Sequence, residues 1–290
     1  MKINNIVIFL NGERGIEILQ NLLQENRNIV AIVAPEKSCF WEGKKDYFNQ
    51  ILIKATQINH PTIIEKLTVL NPDIFIVAGF PTIFKRPILD IPRLGVLNLH
   101  GGPLPKYRGG SPLNWQIING EKQIGISVIA MNEGIDTGDI LDQAFFELKE
   151  IDDINTVHQK ANSHFITLVS NVFSKFENNQ LCPQKQNEQE AQYWTQRCEQ
   201  DSFIDWNIMT AQQVINMVRA LKTPYPNAFT YLNNQKIFIH DAVPPPQIIK
   251  GRPAKVIYLR GVGPYIICKD KAILIKKCSA ILKNGVQLNV

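Results

Sequence analysis

The sequence predicts an α/β fold: a mostly parallel sheet with helices on both faces, followed by a smaller β-rich C-terminal domain. Three observations predict it. Short apolar runs alternate with segments of helical periodicity through the first half of the chain. Those runs are apolar throughout, as strands buried on both faces are. Beyond Pro244-Pro245-Pro246, several short β-rich runs follow one another, which suits a small antiparallel sheet or partial barrel.

Ile6–Leu10 reads as the first buried strand, ended by Asn11-Gly12, and Ile16, Leu19, Leu22 and Leu23 then recur at helical spacing. Ile29–Ala34 is a second strand, stopped by Pro35. Helical spacing covers Ile51 to Leu70, interrupted at His60-Pro61. Strands are expected at Asp73–Ala78, Gly95–His100 and Gly125–Met131, and a long helix at Asn155 to Phe176, with Val157, Ala161, Phe165, Leu168 and Val172 on one face. Alternating β and α elements of this kind make a Rossmann-like sheet. Gly12-x-x-Gly15 lacks the G-x-G-x-x-G order and an acidic residue closing the second strand, so a nicotinamide cofactor is not expected. The stretch from Asn178 to Asp201 is polar and reads as a linker or surface crossing. Ala211 to Leu221 is a short amphipathic helix, broken by Thr223-Pro224-Tyr225-Pro226. Tyr231 to Ile237 gives a hairpin signal, and Ala254–Leu259, Tyr265–Cys268 and Ala272–Lys276 read as strands. The division expected is a domain over 1–178, a linker over 179–205 and a β-rich, partial-barrel or OB-like domain over 206–290.

Bulk properties narrow the function. The 290 residues are 44% apolar and 20% charged, ordinary for a soluble globular chain. The first apolar run is short and lacks a cleavage pattern, and no stretch approaches the roughly 20 residues needed to cross a bilayer. A cytoplasmic protein with no membrane partner is expected. Five scattered cysteines without a C-x-x-C pair read as free thiols, and no metal site is expected. Residues 207–290 hold twelve Lys/Arg against two Asp, whereas residues 1–206 hold 19 against 24 acidic residues. Such asymmetry suits an anionic partner, nucleic acid or nucleotide phosphate, and equally a solvated Lys-rich face.

The densest chemistry lies in Leu97-Asn98-Leu99-His100-Gly101-Gly102-Pro103-Leu104-Pro105-Lys106-Tyr107-Arg108-Gly109-Gly110. Asn98 and His100, two apart on a strand, leave the same face, at the carboxyl end where open parallel sheets place ligands. On pattern alone, a hydrogen-bonded buried pair is an equal reading. Asn98-x-His100, Leu104-Pro105-x-Tyr107-Arg108-Gly109, Gly125-x-Ser127, Met131 and Gly134-Ile135-Asp136-Thr137-Gly138 resemble the signature of the formyltransferases that use N10-formyltetrahydrofolate. The resemblance covers the N-terminal two-thirds closely.

It implies the following chemistry. An amine attacks an amide-like carbonyl, a tetrahedral oxyanion forms, and a proton must reach the departing folate nitrogen. Asn98 would donate its amide to the oxyanion, His100 would assist charge stabilisation and proton transfer, and Asp136 would orient His100 and raise its affinity for a proton. Direct transfer requires no metal. Asp136 has a competing role in turn formation. Phe80, Pro81, Thr82, Ile83 and Phe84 resemble the family's pterin-binding loop, with backbone contacts from Thr82 and Phe84; core packing suits the same residues. Gly102 stands where the family often has serine. The stretch Pro35–Asp46 is shorter and more mixed in charge than the basic loop of methionyl-tRNA formyltransferases. From Asp201 to Thr230 the chain looks closer to sugar N-formyltransferases, so the acceptor expected is the amine of a dTDP- or UDP-linked 4-amino-dideoxy sugar. Methionyl-initiator-tRNA is the alternative, and a non-enzymatic RNA-binding protein is the alternative of another class. Arg108 would meet a phosphate and Tyr225 stack on a base. The sugar-modifying relatives suggest a homodimer.

Overall fold

The structure is a computed structural model that describes residues 2–36, 52–55 and 57–289. Cys39 and the loop expected at Pro35–Asp46, from Lys37 onward, lie outside the described residues.

The chain divides into two compact units. One comprises Met1–Pro112, Gly125–Phe146 and His158–Trp194; the other comprises Leu113–Ile124, Glu147–Val157 and Thr195–Val290. The sequence expectation set boundaries at 178 and 206; by packing, the two units interleave along the chain. Two N-terminal segments join the second unit, and part of the expected linker joins the first.

In chain order the elements are β1 (Ile6–Leu10), α1 (Glu13–Gln24), β2 (Ile29–Ala34), β3 (Leu52–Lys54), α2 (Pro61–Val69), β4 (Ile74–Ala78), the single turn α3 (Arg86–Leu89), β5 (Val96–His100), β6 (Arg108–Gly109) and α4 (Pro112–Ile118). Then follow β7 (Gln123–Ala130), β8 (Ile140–Glu147), α5 (Ile154–Glu177), β9 (Tyr193–Trp194), α6 (Ala211–Ala220), β10 (Ala228–Leu232), β11 (Gln235–Val243), β12 (Val256–Leu259), β13 (Gly263–Ile267) and β14 (Ala272–Cys278).

The first unit is built on a seven-stranded sheet ordered β3-β2-β1-β4-β5-β7-β8. The pairs from β3 to β5 are parallel, and β7 returns antiparallel to β5. The mostly parallel α/β reading holds. One detail differs from expectation, and a second is one the sequence pattern left open. Leu52–Lys54 is a short edge strand where helical spacing was read, because three residues are too few for a period to declare itself. The apolar run after Gly125 belongs to an antiparallel strand, since a run buried on both faces looks alike in either direction.

Every residue of β1 and β4 is buried. Val7 and Phe9 of β1 pack with Val33, Phe75, Val77, Leu67, Phe80 and Phe84 in one apolar layer. The alternate residues Ile6, Ile8 and Leu10 leave from the opposite face and are equally buried. This two-sided core fixes β4 and β5 side by side, with Val77 opposite Asn98.

The second unit holds a five-stranded antiparallel sheet ordered β10-β11-β14-β13-β12. The β10–β11 turn is Asn233-Asn234, both left-handed (φ 50° and 61°), as a two-residue hairpin with the right twist requires. The C-terminal tail bonds to both edges: the Asn289 amide donates to the Tyr231 carbonyl, and the Val256 amide to the Val286 carbonyl. These bonds cover both edges of the antiparallel sheet with the tail. Helix α6 is stopped at its start by a capping box between Thr210 and Gln213. Trp206 is wholly buried, and its indole Nε1 donates to Thr230 Oγ1 at 2.9 Å.

Candidate active site

Strand β5 delivers Asn98 and His100 to the carboxyl end of the sheet, His100 at 6% exposure. The turn from Asn132 to Gly138 brings Asp136 to the same place. Asp136 Oδ1 lies 3.4 Å from His100 Nδ1 and accepts from Asn98 Nδ2 at 3.3 Å, while Oδ2 accepts the Gly109 amide at 2.8 Å. The three residues singled out from sequence thus converge on one carboxylate. The turn-forming role weighed for Asp136 falls instead to Asn132, whose Oδ1 accepts from the Gly134 amide (3.0 Å) and from Thr137 Oγ1 (2.7 Å).

The other ring nitrogen of His100 is also engaged. Nε2 lies 2.7 Å from the Tyr107 carbonyl oxygen. Tyr107 is left-handed (φ 59°), and the loop folds back over the histidine. Each imidazole nitrogen therefore faces an oxygen, an arrangement suited to a ring that holds a proton and passes it on. Gly102 is required for this fold-back. A Cβ there would stand 2.8 Å from the Tyr107 carbonyl oxygen and 2.9 Å from His100 Nε2. The departure from serine at this position is thus a packing condition of the present loop.

Ser127 was noticed in the sequence without a role. Opposite His100 in the β5–β7 ladder, it is fully buried. Its hydroxyl donates to the Gly102 carbonyl (2.7 Å) and accepts from the Leu104 amide (3.2 Å) and from Gln143 Nε2 (2.8 Å). It anchors the irregular loop to the sheet.

The other expected site residues are distributed as follows. Phe80 and Phe84 turn into the core, their rings 5.6 and 4.9 Å from that of Phe9. Pro81 and Ile83 are exposed, Ile83 at 66%. Asn59 holds this loop, donating to the Ile83 carbonyl and accepting from the Lys85 amide. Among the described residues, no hydrogen bond uses the amides of Thr82 or Phe84. Arg108 is fully buried and its guanidinium is taken up internally: Nε donates to Gln186 (2.9 Å), and both terminal nitrogens reach Glu188 (2.9 and 2.7 Å), with a further bond to Tyr193 Oη (2.7 Å). The hydrogen-bonded Glu188 carboxylate holds the guanidinium above its ordinary pKa, and Arg108 in turn holds Glu188 below the usual carboxylate range. Tyr225 belongs to the second unit, half-buried in the turn after α6, its amide donating to the Lys222 carbonyl. Among the described residues, no group of three His, Cys, Asp or Glu side chains is placed to hold a metal, and no helix is long and apolar enough to cross a membrane.

The sequence profile of the formyl transferases matches residues 4–173, and that of the formyl transferase C-terminal domain matches residues 198–287. The chain belongs to the formyl transferase family. It is 31% identical over 271 residues to methionyl-tRNA formyltransferase of Caldanaerobacter subterraneus subsp. tengcongensis, covering 87% of each chain. It is 33% identical over 242 residues to the bifunctional polymyxin resistance protein ArnA of Wigglesworthia glossinidia brevipalpis, covering 81% of this chain and 37% of that one. The N-formyltransferase of Helicobacter canadensis, solved with folinic acid and dTDP-3-aminofucose, shares the fold at a TM-score of 0.68 and 20% identity, over 95% of this chain and all of that one. Membership makes this formyltransferase an enzyme of formyl-group transfer.

Proposed function

We propose that this formyltransferase moves the formyl group of N10-formyltetrahydrofolate to the amine of methionyl-initiator-tRNA, with Asn98, His100 and Asp136 as its catalytic residues. The convergence of Asn98 and His100 on the Asp136 carboxylate carries the catalytic part of this reading. The donor supplies an activated carbonyl and a nitrogen that must leave with a proton. The Asn98 amide is the neutral donor for the oxygen that gains charge. The His100 ring takes the proton from the attacking amine and returns it to the leaving nitrogen. Asp136 fixes the orientation of both side chains.

The donor fits the loop beside them. Ile83 offers an exposed apolar surface, the amides of Thr82 and Phe84 stand available to a heterocycle's edge, and the buried Phe80 and Phe84 rings hold the loop rigid. The loop follows β4 and the catalytic pair ends β5, so parallel pairing sets both at one end of the sheet.

The choice of acceptor reverses the order read from the sequence. Near-full-length similarity to a tRNA enzyme, together with twelve Lys/Arg against two Asp after residue 206, supports a polyanionic acceptor. A nucleotide-linked 4-amino sugar is the second reading, favoured by the similarity to ArnA. Offering both acceptors with N10-formyltetrahydrofolate tests the two. Transfer to the charged tRNA, cut about 10²–10³-fold in Asn98→Ala and in His100→Ala, is the expected result. Transfer to the sugar alone selects the second reading, and transfer to neither defeats both.

A further inference from the structure

The polar stretch from Gln184 to Trp194, read from sequence as linker, runs along both loops that build the site. Gln184 exchanges two backbone hydrogen bonds with Ile140, each 2.8 Å. Gln192 bonds to Pro105 and Arg108 through its backbone, and β9 pairs with β6. The Trp194 ring stacks on Tyr107 at 5.2 Å and 10°. A Cβ on Gly109 would stand 2.3 Å from the Trp194 carbonyl oxygen, so the approach at this pairing requires glycine.

Between these ties sits Gln186, the one half-buried side chain in the otherwise exposed run from Cys182 to Glu190. Its Nε2 donates to the carbonyls of Asp136 and Gly138, both at 2.7 Å, and its Oε1 accepts from Arg108 Nε at 2.9 Å. Both amide hydrogens and the amide oxygen are thereby used. The flipped amide would set an oxygen against two carbonyls and an NH₂ against a guanidinium, so the orientation is fixed by the partners themselves.

Asp136 needs such support. It sits in a left-handed turn (φ 53°), and its carboxylate must meet His100, Asn98 and the Gly109 amide together. We infer that Gln186 is a positioning residue for formyl transfer, clamping the Asp136 turn against the Arg108–Gly109 segment so that the carboxylate meets His100. The inference rests on the reading of Asp136 as catalytic. The strap governs both neighbours of the imidazole: Gln186 holds the backbone of Asp136, and Gln192 and Trp194 hold the loop that offers the Tyr107 carbonyl.

Gln186→Leu keeps the volume and removes all three bonds. The expected result is a fall in kcat of about 10–100-fold, as misplacement of a catalytic group by about an ångström brings. KM for donor and acceptor should stay within about twofold, and the pH profile of kcat should shift. In an Asp136→Asn background the same substitution should change kcat by less than about twofold, because Gln186 acts through that carboxylate. Glu188→Gln, at a 68% exposed side chain, loosens Arg108 from outside and should give a smaller, several-fold loss with the same non-additivity. A parental kcat and pH profile in Gln186→Leu, or an equal loss with and without Asp136, overturns the inference. A parental rate in Asp136→Asn alone overturns the catalytic reading on which it rests.

Discussion

At the scale of single residues, the site depends on how closely the loop folds over His100. The ring is bracketed by the Asp136 carboxylate and the Tyr107 carbonyl, and only a missing side chain at Gly102 lets that carbonyl come to 2.7 Å. Gly102→Ala should therefore push the Tyr107 backbone away and lower kcat at least tenfold, while thermal unfolding changes little; steady-state kinetics beside a melting curve checks both. His158 carries a separate expectation. Burial, assisted by the nearby charge of Arg14, holds its pKa down at about 4. The unfolded chain takes up this proton near pH 6.5, well before the folded one does, so stability should fall as pH drops from about 6.5 through 4, by on the order of 1–3 kcal/mol. Urea unfolding at stepped pH should show that limb, and His158→Gln should flatten it. Asn98 and His100 stood out in the sequence as polar groups at an apolar strand end, and the family resemblance singled them out with Asp136; the structure brings the three side chains together. Gln186 did not stand out, because a glutamine among Gln, Asn and Glu carries no local signal; its partners are two carbonyls 50 and 48 residues away in the chain and the Arg108 guanidinium.

Among elements, the decisive one is the irregular loop from Gly101 to Gly110, which has little regular structure to hold it. Ser127 on β7 supplies the hold, with one hydroxyl serving the Gly102 carbonyl, the Leu104 amide and Gln143. Ser127→Ala leaves a buried amide and carbonyl without that partner, which should cost about 1–3 kcal/mol of stability and lower kcat through the slackened loop. Denaturant titration gives the first quantity, and an unchanged midpoint would remove Ser127 from this role. In the second unit, Thr210→Ala breaks the capping box of α6 and should cost about 1 kcal/mol with no change in kcat. The long elements were legible for the same reason that they are stable. The long helix was read at Asn155–Phe176 and stands at Ile154–Glu177, because its buried face repeats over many turns. The short ones were not: β3 has three residues, and β6 and β9 two each, and such strands exist only through tertiary partners that periodicity cannot report.

For the molecule as a whole, the question is what the uneven charge is for. Twelve Lys/Arg against two Asp after residue 206 exceed what a nucleotide diphosphate needs, yet suit a ligand with a phosphate at every step. The two acceptor readings therefore differ in their salt response. With charged tRNA as acceptor, its KM should climb steeply between about 50 and 200 mM salt, by on the order of tenfold or more for several phosphate contacts, while KM for the folate donor stays level. Lys276 and Lys277 are adjacent in β14, both exposed, and far in sequence from the catalytic residues. Reversing both to Glu should raise KM for the tRNA several-fold, flatten its salt slope, and leave kcat at saturation unchanged. An amino-sugar acceptor would show a shallow slope and indifference to the same reversal. A shallow slope for tRNA would make the basic surface a solvated face, and the acceptor would then have to be recognised by the first unit's own residues.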